Sequence, residues 1–260
     1  CFVYTGTELF RSAASLAQAL GVPWHSVSSA LACQDKSLFA SIAANSPAIR
    51  IPNTTEVRSF REILSLTRNF PRKKWVIKPV DCHSSRGVSV ALESEAELRS
   101  AYSAALAASG SQVVVVQEHV DGTHHDVNAY LDENGEMFRL GINDKRMSEP
   151  PEAVVVEVFA PTSLSSVEQE TLYQEFGIIC KALGLGPGPV KGDFIFSQGK
   201  QYCLEVAPRL HGPLGSLYAI PLAYKYNTFE KLLQLSSPGT DSPESFTPCP
   251  SKGEQNVYIC

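Results

Sequence analysis

Apolar residues recur at helical spacing over residues 8–20, and Gly21-Val22-Pro23 then stops the run. Residues 2–6 ahead of it read as the end of a strand, so the chain opens on a strand–helix unit. A second amphipathic stretch over 26–45 contains Asp35-Lys36 and predicts one helix, ending before Ser46-Pro47 and the extended segment 49–52. Residues 56–69 predict another helix. From Trp75 the period becomes short and β-branched, with strands over 75–79, 87–92 and 113–120 and a helix over 95–108 before the last.

Strands over 126–132 and 136–142 flank the turn-rich Asp132-Glu133-Asn134-Gly135, which closes a hairpin, and 154–159 supplies a further strand. The helix at 165–183 has Ser166 and Gln169 spaced as a capping box and Gly184 past its end. A second hairpin, 190–196 with 201–206, turns at Ser197-Gln198-Gly199-Lys200, and 220–235 reads as a helix. Beyond it the chain is Ser-, Pro- and Thr-rich through Cys249, the composition of a flexible tail. The order predicts an α+β chain with an antiparallel sheet.

A length of 260 residues suits one large domain or two small ones. The formal charge of −5 argues against a basic nucleic-acid surface, so any phosphate chemistry must use locally placed cations. No apolar run approaches the roughly 20 residues that cross a bilayer, and no leader pattern is present, which predicts a soluble, cytoplasmic protein. Seven irregularly spaced cysteines without a C-x-x-C pair fit reduced thiols better than a disulfide frame or a zinc site. His124 and His125, adjacent on a strand, point in opposite directions and argue against a histidine metal cluster. The start at Cys1, running at once into strand-like residues, gives the expectation that an upstream segment has been removed.

Three segments carry candidate chemistry. Lys78 ends the apolar strand Trp75-Val76-Ile77 and precedes a loop with Ser84, Ser85, Arg86 and Gly87; a cation beside small hydroxyl residues and backbone N–H groups can grip a phosphate, although the same residues describe a surface lysine above a polar turn. In the second hairpin, alternation lets Asp193 and Glu205 face the same side, where two carboxylates repel unless a cation lies between them. Hard oxygen ligands with phosphates suit Mg²⁺, and Arg209 just past the strand can steady a transferring phosphoryl group. The strand end Gln117-Glu118-His119-Val120 can hydrogen-bond a planar heterocycle.

These segments in this order resemble the ATP-grasp superfamily over most of the chain, from about Asp35 to Leu235. The most specific part is Val190-Lys191-Gly192-Asp193 followed by Leu204-Glu205-Val206-Ala207-Pro208-Arg209-Leu210-His211-Gly212, which looks like the metal-binding hairpin of ATP-dependent carboxylate–amine ligases such as amino-acid ligases and carbamoyl-phosphate synthetases. Asp35-Lys36 and Gly141-Ile142-Asn143-Asp144-Lys145 are supporting matches. The resemblance implies an α+β ATP-grasp fold with two lobes gripping ATP. It divides the chain into a remnant of an N-terminal α/β domain (1–30), the ATP-grasp domain (31–236, small lobe at about 70–120) and a flexible tail (237–260).

By the same resemblance, Lys36 and Lys78 contact ATP phosphates, and the loop of Ser84, Ser85, Arg86 and Gly87 closes over them. Gln117, Glu118 and Val120 read adenine, and His124 stands at the place of a ribose-binding acid, with His125 and Asp126 as nearby substitutes. Asp193 and Glu205 bind Mg²⁺, or Mn²⁺, and Arg209 steadies the γ-phosphate and acyl-phosphate oxygens. Ala207 departs from the pattern, replacing the asparagine that often completes the metal shell. His211 is a loop residue that could touch substrate. The implied activity is an ATP- and Mg²⁺-dependent, ADP-forming ligase that activates a carboxylate as an acyl-phosphate for attack by an amine. Its partners are then a small-molecule carboxylate and amine and neither nucleic acid nor membrane, with a homodimer left open. The alternative is the ATP-binding lobe of a longer enzyme, or a degenerate nucleotide-binding module without catalysis of its own.

Overall fold

A computed structural model describes residues 3, 5, 9–82 and 84–236, together with the backbone of 257–259. The predicted strand end at 2–6 falls mostly outside these residues. Helix α1 (Phe10–Leu20) ends at left-handed Gly21, as its sequence suggests. The single helix predicted over 26–45 is instead two, α2 (Val27–Gln34) and α3 (Lys36–Ala44). Asp35 separates them: its backbone is extended, and its carboxylate accepts from Ser37 N and Leu38 N, both at 2.9 Å. A short acid satisfies orphan N–H groups at a helix start better than it serves a helix interior. The break makes Lys36 the first residue of α3.

Strand β1 (Thr54–Val57) takes Glu56 and Val57 from the helix predicted to begin there, and α4 (Phe60–Arg68) begins after its cap, Ser59. Strand β2 (Trp75–Pro79) and α5 (Glu95–Ala108) match their predicted bounds, while β3 (Ser89–Leu92) and β4 (Val114–Glu118) start later than predicted. The four strands form an antiparallel sheet in the order β1-β4-β2-β3. Alternation sends Trp75 and Ile77 of β2, with Val114 and Val116 of β4, into a core against Ile63 of α4 and Leu98, Ala101 and Ala105 of α5. Val76, Lys78, Val115 and Gln117 take the opposite face.

A second antiparallel sheet has the order β10-β7-β6-β5-β8-β9. It comprises β5 (Thr123–Leu131), β6 (Met137–Met147), β7 (Val155–Ala160), β8 (Gly188–Ser197), β9 (Lys200–Ala207) and β10 (Val257–Ile259). Strands β5 and β6 run three and five residues beyond the predicted hairpin, because His124, Asp126, Asn143 and Lys145 are polar yet lie in the ladder. Val127, Ala129, Val190 and Phe194 bury against α6 (Ser166–Ala182) and Phe39 and Ala43 of α3. The capping box of α6 is formed by Ser165 and Glu168, one residue before the predicted pair.

The helix predicted over 220–235 is broken into α7 (Ile220–Tyr224) and α8 (Thr228–Leu235), with left-handed Lys225 and the cap Asn227 between them, and a π-helical turn (Leu214–Ala219) precedes α7. Strand β10 pairs antiparallel with β7, so residues 257–259 are strand where a flexible tail was expected; the rest of 237–260 lies outside the described residues. No helix among the described residues is long and apolar enough to cross a membrane.

Replacing Asp35 by alanine removes the side-chain acceptor that caps the start of α3 and is expected to lower the unfolding free energy by about 1 kcal/mol. Urea denaturation measures it. An unchanged midpoint would mean that the carboxylate does not hold the helix start.

Candidate active site

The two sheets face each other across a cavity of about 890 Å³. Lys36, Lys78, Ser84, Ser85, Gln117, Glu118 and Val120 line one side, and His124, Lys145, Lys191, Asp193, Glu205 and Arg209 the other. The residues expected to form a site are therefore brought together, with Arg86 and Gly87 as the departures. Arg86 is exposed and outside the cavity lining. Gly87 lies at the turn's end in a left-handed conformation (φ +70°), where a Cβ would come within 2.8 Å of Ala108 Cβ on α5. Its place is explained by the close approach of the loop to α5. Ser84 and Ser85 both have positive φ, 58° and 57°, a backbone state unfavourable for residues with a Cβ. His83 lies outside the described residues.

Lys36 and Lys78 hold neutral oxygens. The Lys36 ammonium donates to Cys82 O at 2.6 Å, tying α3 to the base of the loop, and Lys78 donates to Gln117 Oε1 at 3.0 Å. Gln117 Nε2 in turn donates to Thr54 Oγ1 at 2.7 Å, so that β1, β2 and β4 together fix the orientation of the amide. Burial, and then the neighbouring Lys36 charge, push the Lys78 pKa down to about 8. The carboxylates of Glu205 and Asp193 act on Lys78 in the opposite sense from the other sheet, which places the lysines and the acids in one electrostatic unit. At the strand end, Glu118 is paired with Lys73 at 2.7 Å and accepts from Asn53 at 2.8 Å. Its backbone N–H donates to Asn53 O and that of His119 to Lys74 O.

The floor is built by register. Asp193 lies opposite Glu205 in β9 and opposite Asp126 in β5, and Asp126 lies opposite Asn143 in β6. The same parity places His124 opposite Lys145, and Lys191 opposite Ala207. A chain of charges follows. His211 Nε2 meets Asp126 Oδ2 at 2.8 Å, Lys145 bridges Asp126 Oδ1 (2.7 Å) and Asp193 Oδ1 (2.6 Å), and Lys191 meets Asp193 Oδ2 at 2.7 Å. Burial would lower the Lys145 pKa, but the two carboxylates raise it well above its ordinary value. Burial likewise opposes ionisation of Asp193, yet Lys145 and Lys191 hold its carboxyl well below the usual range. Burial, reinforced by the Lys145 charge, pushes His124 down to about 4, so its imidazole is neutral at pH 7.

His125 and Asp126, the substitutes considered for a ribose contact, are both committed elsewhere. His125 turns to the other face of β5, where Nδ1 meets Asp144 Oδ1 at 2.7 Å and Nε2 meets Thr123 Oγ1 at the same distance. Asp144 also receives Thr162 Oγ1 and, at 2.8 Å, Ser163 N, which ties the loop before α6 to β6. The sequence presents Lys145 and Lys191 only as members of matching motifs, without a role, and His211 only as a loop residue that could touch substrate. The signal for the first two was strand parity: Lys145 lies two residues after Asn143 and Lys191 two before Asp193, each on the face that carries the acids. His211 Nε2 reaches Asp126 only because the loop after β9 folds back, with His211 N donating to Asn128 Oδ1 at 2.8 Å.

Carboxylates on one face give the hard oxygen donors that Mg²⁺ prefers, with phosphates and water completing its shell. Asp193 and Glu205 fit one such ion. Each oxygen of Asp193 already has an ammonium and keeps further lone pairs, whereas no basic side chain among the described residues pairs with Glu205. No group of three acidic, histidine or cysteine side chains that could hold a metal by itself occurs among the described residues.

The fold is that of known enzymes. L-amino acid ligase from Bacillus licheniformis matches with a TM-score of 0.73 at 21% identity, over 89% of this chain and 55% of that one. The biotin carboxylase domain of 2-oxoglutarate carboxylase from Hydrogenobacter thermophilus, solved with MgADP, ADP and bicarbonate, gives 0.74 at 16%, over 91% and 53%. D-alanine–D-alanine ligase from Bacillus anthracis gives 0.67 at 18%, over 86% and 75%. The chain thus spans about half the length of the first two solved relatives. No curated protein matches it. A family model described as an ATP-grasp domain matches residues 33–213, the stretch that runs from α2 through both sheets to the loop after Arg209, and the chain belongs to the ATP-grasp family.

Proposed function

We propose that this chain binds ATP between its two sheets and uses it to activate a carboxylate for attack by an amine. One observation carries the reading: a single cavity joins Lys36 and Lys78, whose ammonium groups hold only neutral oxygens, to Asp193 and Glu205, which share one face of the opposite sheet. An incoming phosphate replaces a carbonyl or amide oxygen at each lysine with a charged one, a stronger hydrogen bond gained without breaking an ion pair. The solved relatives add support, since they include an amino-acid ligase, a D-alanine–D-alanine ligase and a carboxylase domain holding MgADP.

In this reading Lys36 and Lys78 hold the phosphates, and Ser84 and Ser85 cover them from the loop. The adenine lies along the strand end at Gln117, Glu118 and Val120. Neutral His124 offers the ribose a hydrogen bond without adding charge. A divalent ion, when bound, neutralises charge on the transferring phosphate. Glu205 and Asp193 are its ligands, and Lys145 and Lys191 keep Asp193 ionised and fixed. Arg209 faces the same cavity and steadies the phosphoryl oxygens. The cleft shields the activated carboxylate from water, and the chain's part is positioning and electrostatics.

A second reading, a nucleotide-binding lobe without independent catalysis, is favoured by Ala207, which gives the site no third oxygen ligand. Release of ADP in the presence of amino acids and small carboxylates decides between them. The ligase reading expects ADP with at least one acid and amine pair, whereas Mg²⁺-dependent ATP binding with no ADP from any substrate supports the second.

Lys78→Ala is expected to weaken ATP affinity by about tenfold or more, the worth of a charge-assisted hydrogen bond. Because the free-state pKa of Lys78 is depressed to about 8, its proton is lost as pH rises through that value. Affinity for a nonhydrolysable ATP analogue should therefore decline above pH 8, and this decline should vanish in Lys78→Ala; calorimetric titration across pH 7–9.5 measures both. Glu205→Ala should leave nucleotide bound but reduce the Mg²⁺-dependent rate by about two orders of magnitude. Near-normal turnover would remove Glu205 from the ligand set.

A further inference from the structure

Lys191 is the unexpected charge of the floor. Its residue is 5% exposed, in a strand otherwise built of Gly, Pro, Val, Phe and Ile apart from Asp193 and the terminal Ser197, and a lysine is held in such a place only when it is paired. Two residues before Asp193, it shares that residue's face, and its ammonium holds Asp193 Oδ2 at 2.7 Å while Lys145 holds Oδ1 at 2.6 Å. Directly across the hairpin lies Ala207, whose methyl packs among Phe10, Ala14 and Ala30 of the first two helices. Ala207 offers a metal no side-chain oxygen here, and the one at hand, Asp193 Oδ2, already holds the ammonium. Asp126 and Asp193 are paired with Lys145, Lys191 and His211, whereas Glu205 has no basic partner among the described residues, a local deficit of positive charge. One divalent ion beside Glu205 overcomes this deficit. A second would lie against an ammonium fixed on the same carboxylate, with like charges opposed in a buried cleft.

We propose that the Lys191 ammonium stands in for a second divalent ion, so that this protein binds its nucleotide with one metal ion on the Glu205 side of Asp193. The inference rests on the ATP reading of the cleft and specifies its metal content. Lys191 keeps its charge on Asp193, in the place a second ion would take, and needs no dissolved metal to do so.

Counting bound Mn²⁺ by electron paramagnetic resonance, with a nonhydrolysable ATP analogue saturating the protein, tests it without turnover. One ion per bound analogue is expected. Lys191→Met should then either take up a second ion or lose about tenfold in analogue affinity, whereas Lys191→Arg, which keeps the charge, should retain the single ion. Two ions, or none, on the analogue-bound unaltered protein overturn the inference while leaving the nucleotide reading intact. So does a Lys191→Met protein with one ion and unchanged affinity. Failure of the analogue to bind at any metal concentration overturns the nucleotide reading, and this inference with it.

Discussion

Buried carboxylates side by side require cations between them, and the floor of the cleft is organised around that requirement. Asp126 and Asp193 are opposite one another on neighbouring strands, 0% and 7% exposed. Left alone, one of them would bind a proton or the strands would separate, because ionised groups of like sign repel strongly where water does not screen them. Lys145, reached from β6, bridges the two, and Lys191 and His211 close the ends of the chain. Four strands and the loop after β9 contribute to this network, if Glu205 is counted with it. Removing one member of such a network leaves another charged and unpaired, so it fixes strand register more than it adds stability. Register is what brings Asp193 and Glu205 to one face.

The parts of the fold legible in the sequence are those whose pattern has a single reading. The run Trp75-Val76-Ile77 and the helix from Glu95 have one period each and match their predicted bounds. The pairing of Asp193 with Glu205 was legible only in part: regular alternation from the turn at Ser197–Lys200 would set Leu204 opposite Asp193, and a bulge between Asp193 and Phe194 brings Glu205 there instead. What was not legible depended on partners far along the chain. Polar His124, Asp126, Asn143 and Lys145 look like strand ends when β5 and β6 are read separately, and become interior positions only when β8 flanks β5 and β7 flanks β6. The split at Asp35 was missed because an apolar period continues through it, although an acid followed by two free N–H groups is itself a start signal. The strand at 257–259 carries no local sign of its pairing with β7, which joins residues about a hundred positions apart.

The cations of the cleft fall into two classes that sequence alone cannot separate. Lys145 and Lys191 are engaged by carboxylates, and their charge is spent on the architecture of the floor. Lys36 and Lys78 are engaged by a carbonyl and an amide oxygen, and their charge is largely uncompensated where they lie. The depressed pKa of Lys78 reports that state, through burial and the nearness of Lys36, with carboxylates only across the cleft to offset them. A site arranged in this way favours an anion bound between the lysines, because its arrival relieves a repulsion already present. On the floor, by contrast, an anion would first have to draw a lysine away from Asp193.

The same division bears on the loop between the lysines. Cys82 O, the acceptor for Lys36, lies at the base of the turn in which Ser84 and Ser85 adopt left-handed conformations. Such conformations cost about 1–2 kcal/mol per residue and persist only when the surroundings hold them. The Lys36 bond to Cys82 and the close seat of Gly87 on α5 are two restraints that do so. A phosphate that takes the Lys36 ammonium for itself weakens the first restraint and leaves the second, so the loop is free to change at its serine end while Gly87 stays in place. In the proposed reading, phosphate binding and the restraint on this loop thus share one side chain at the first turn of α3.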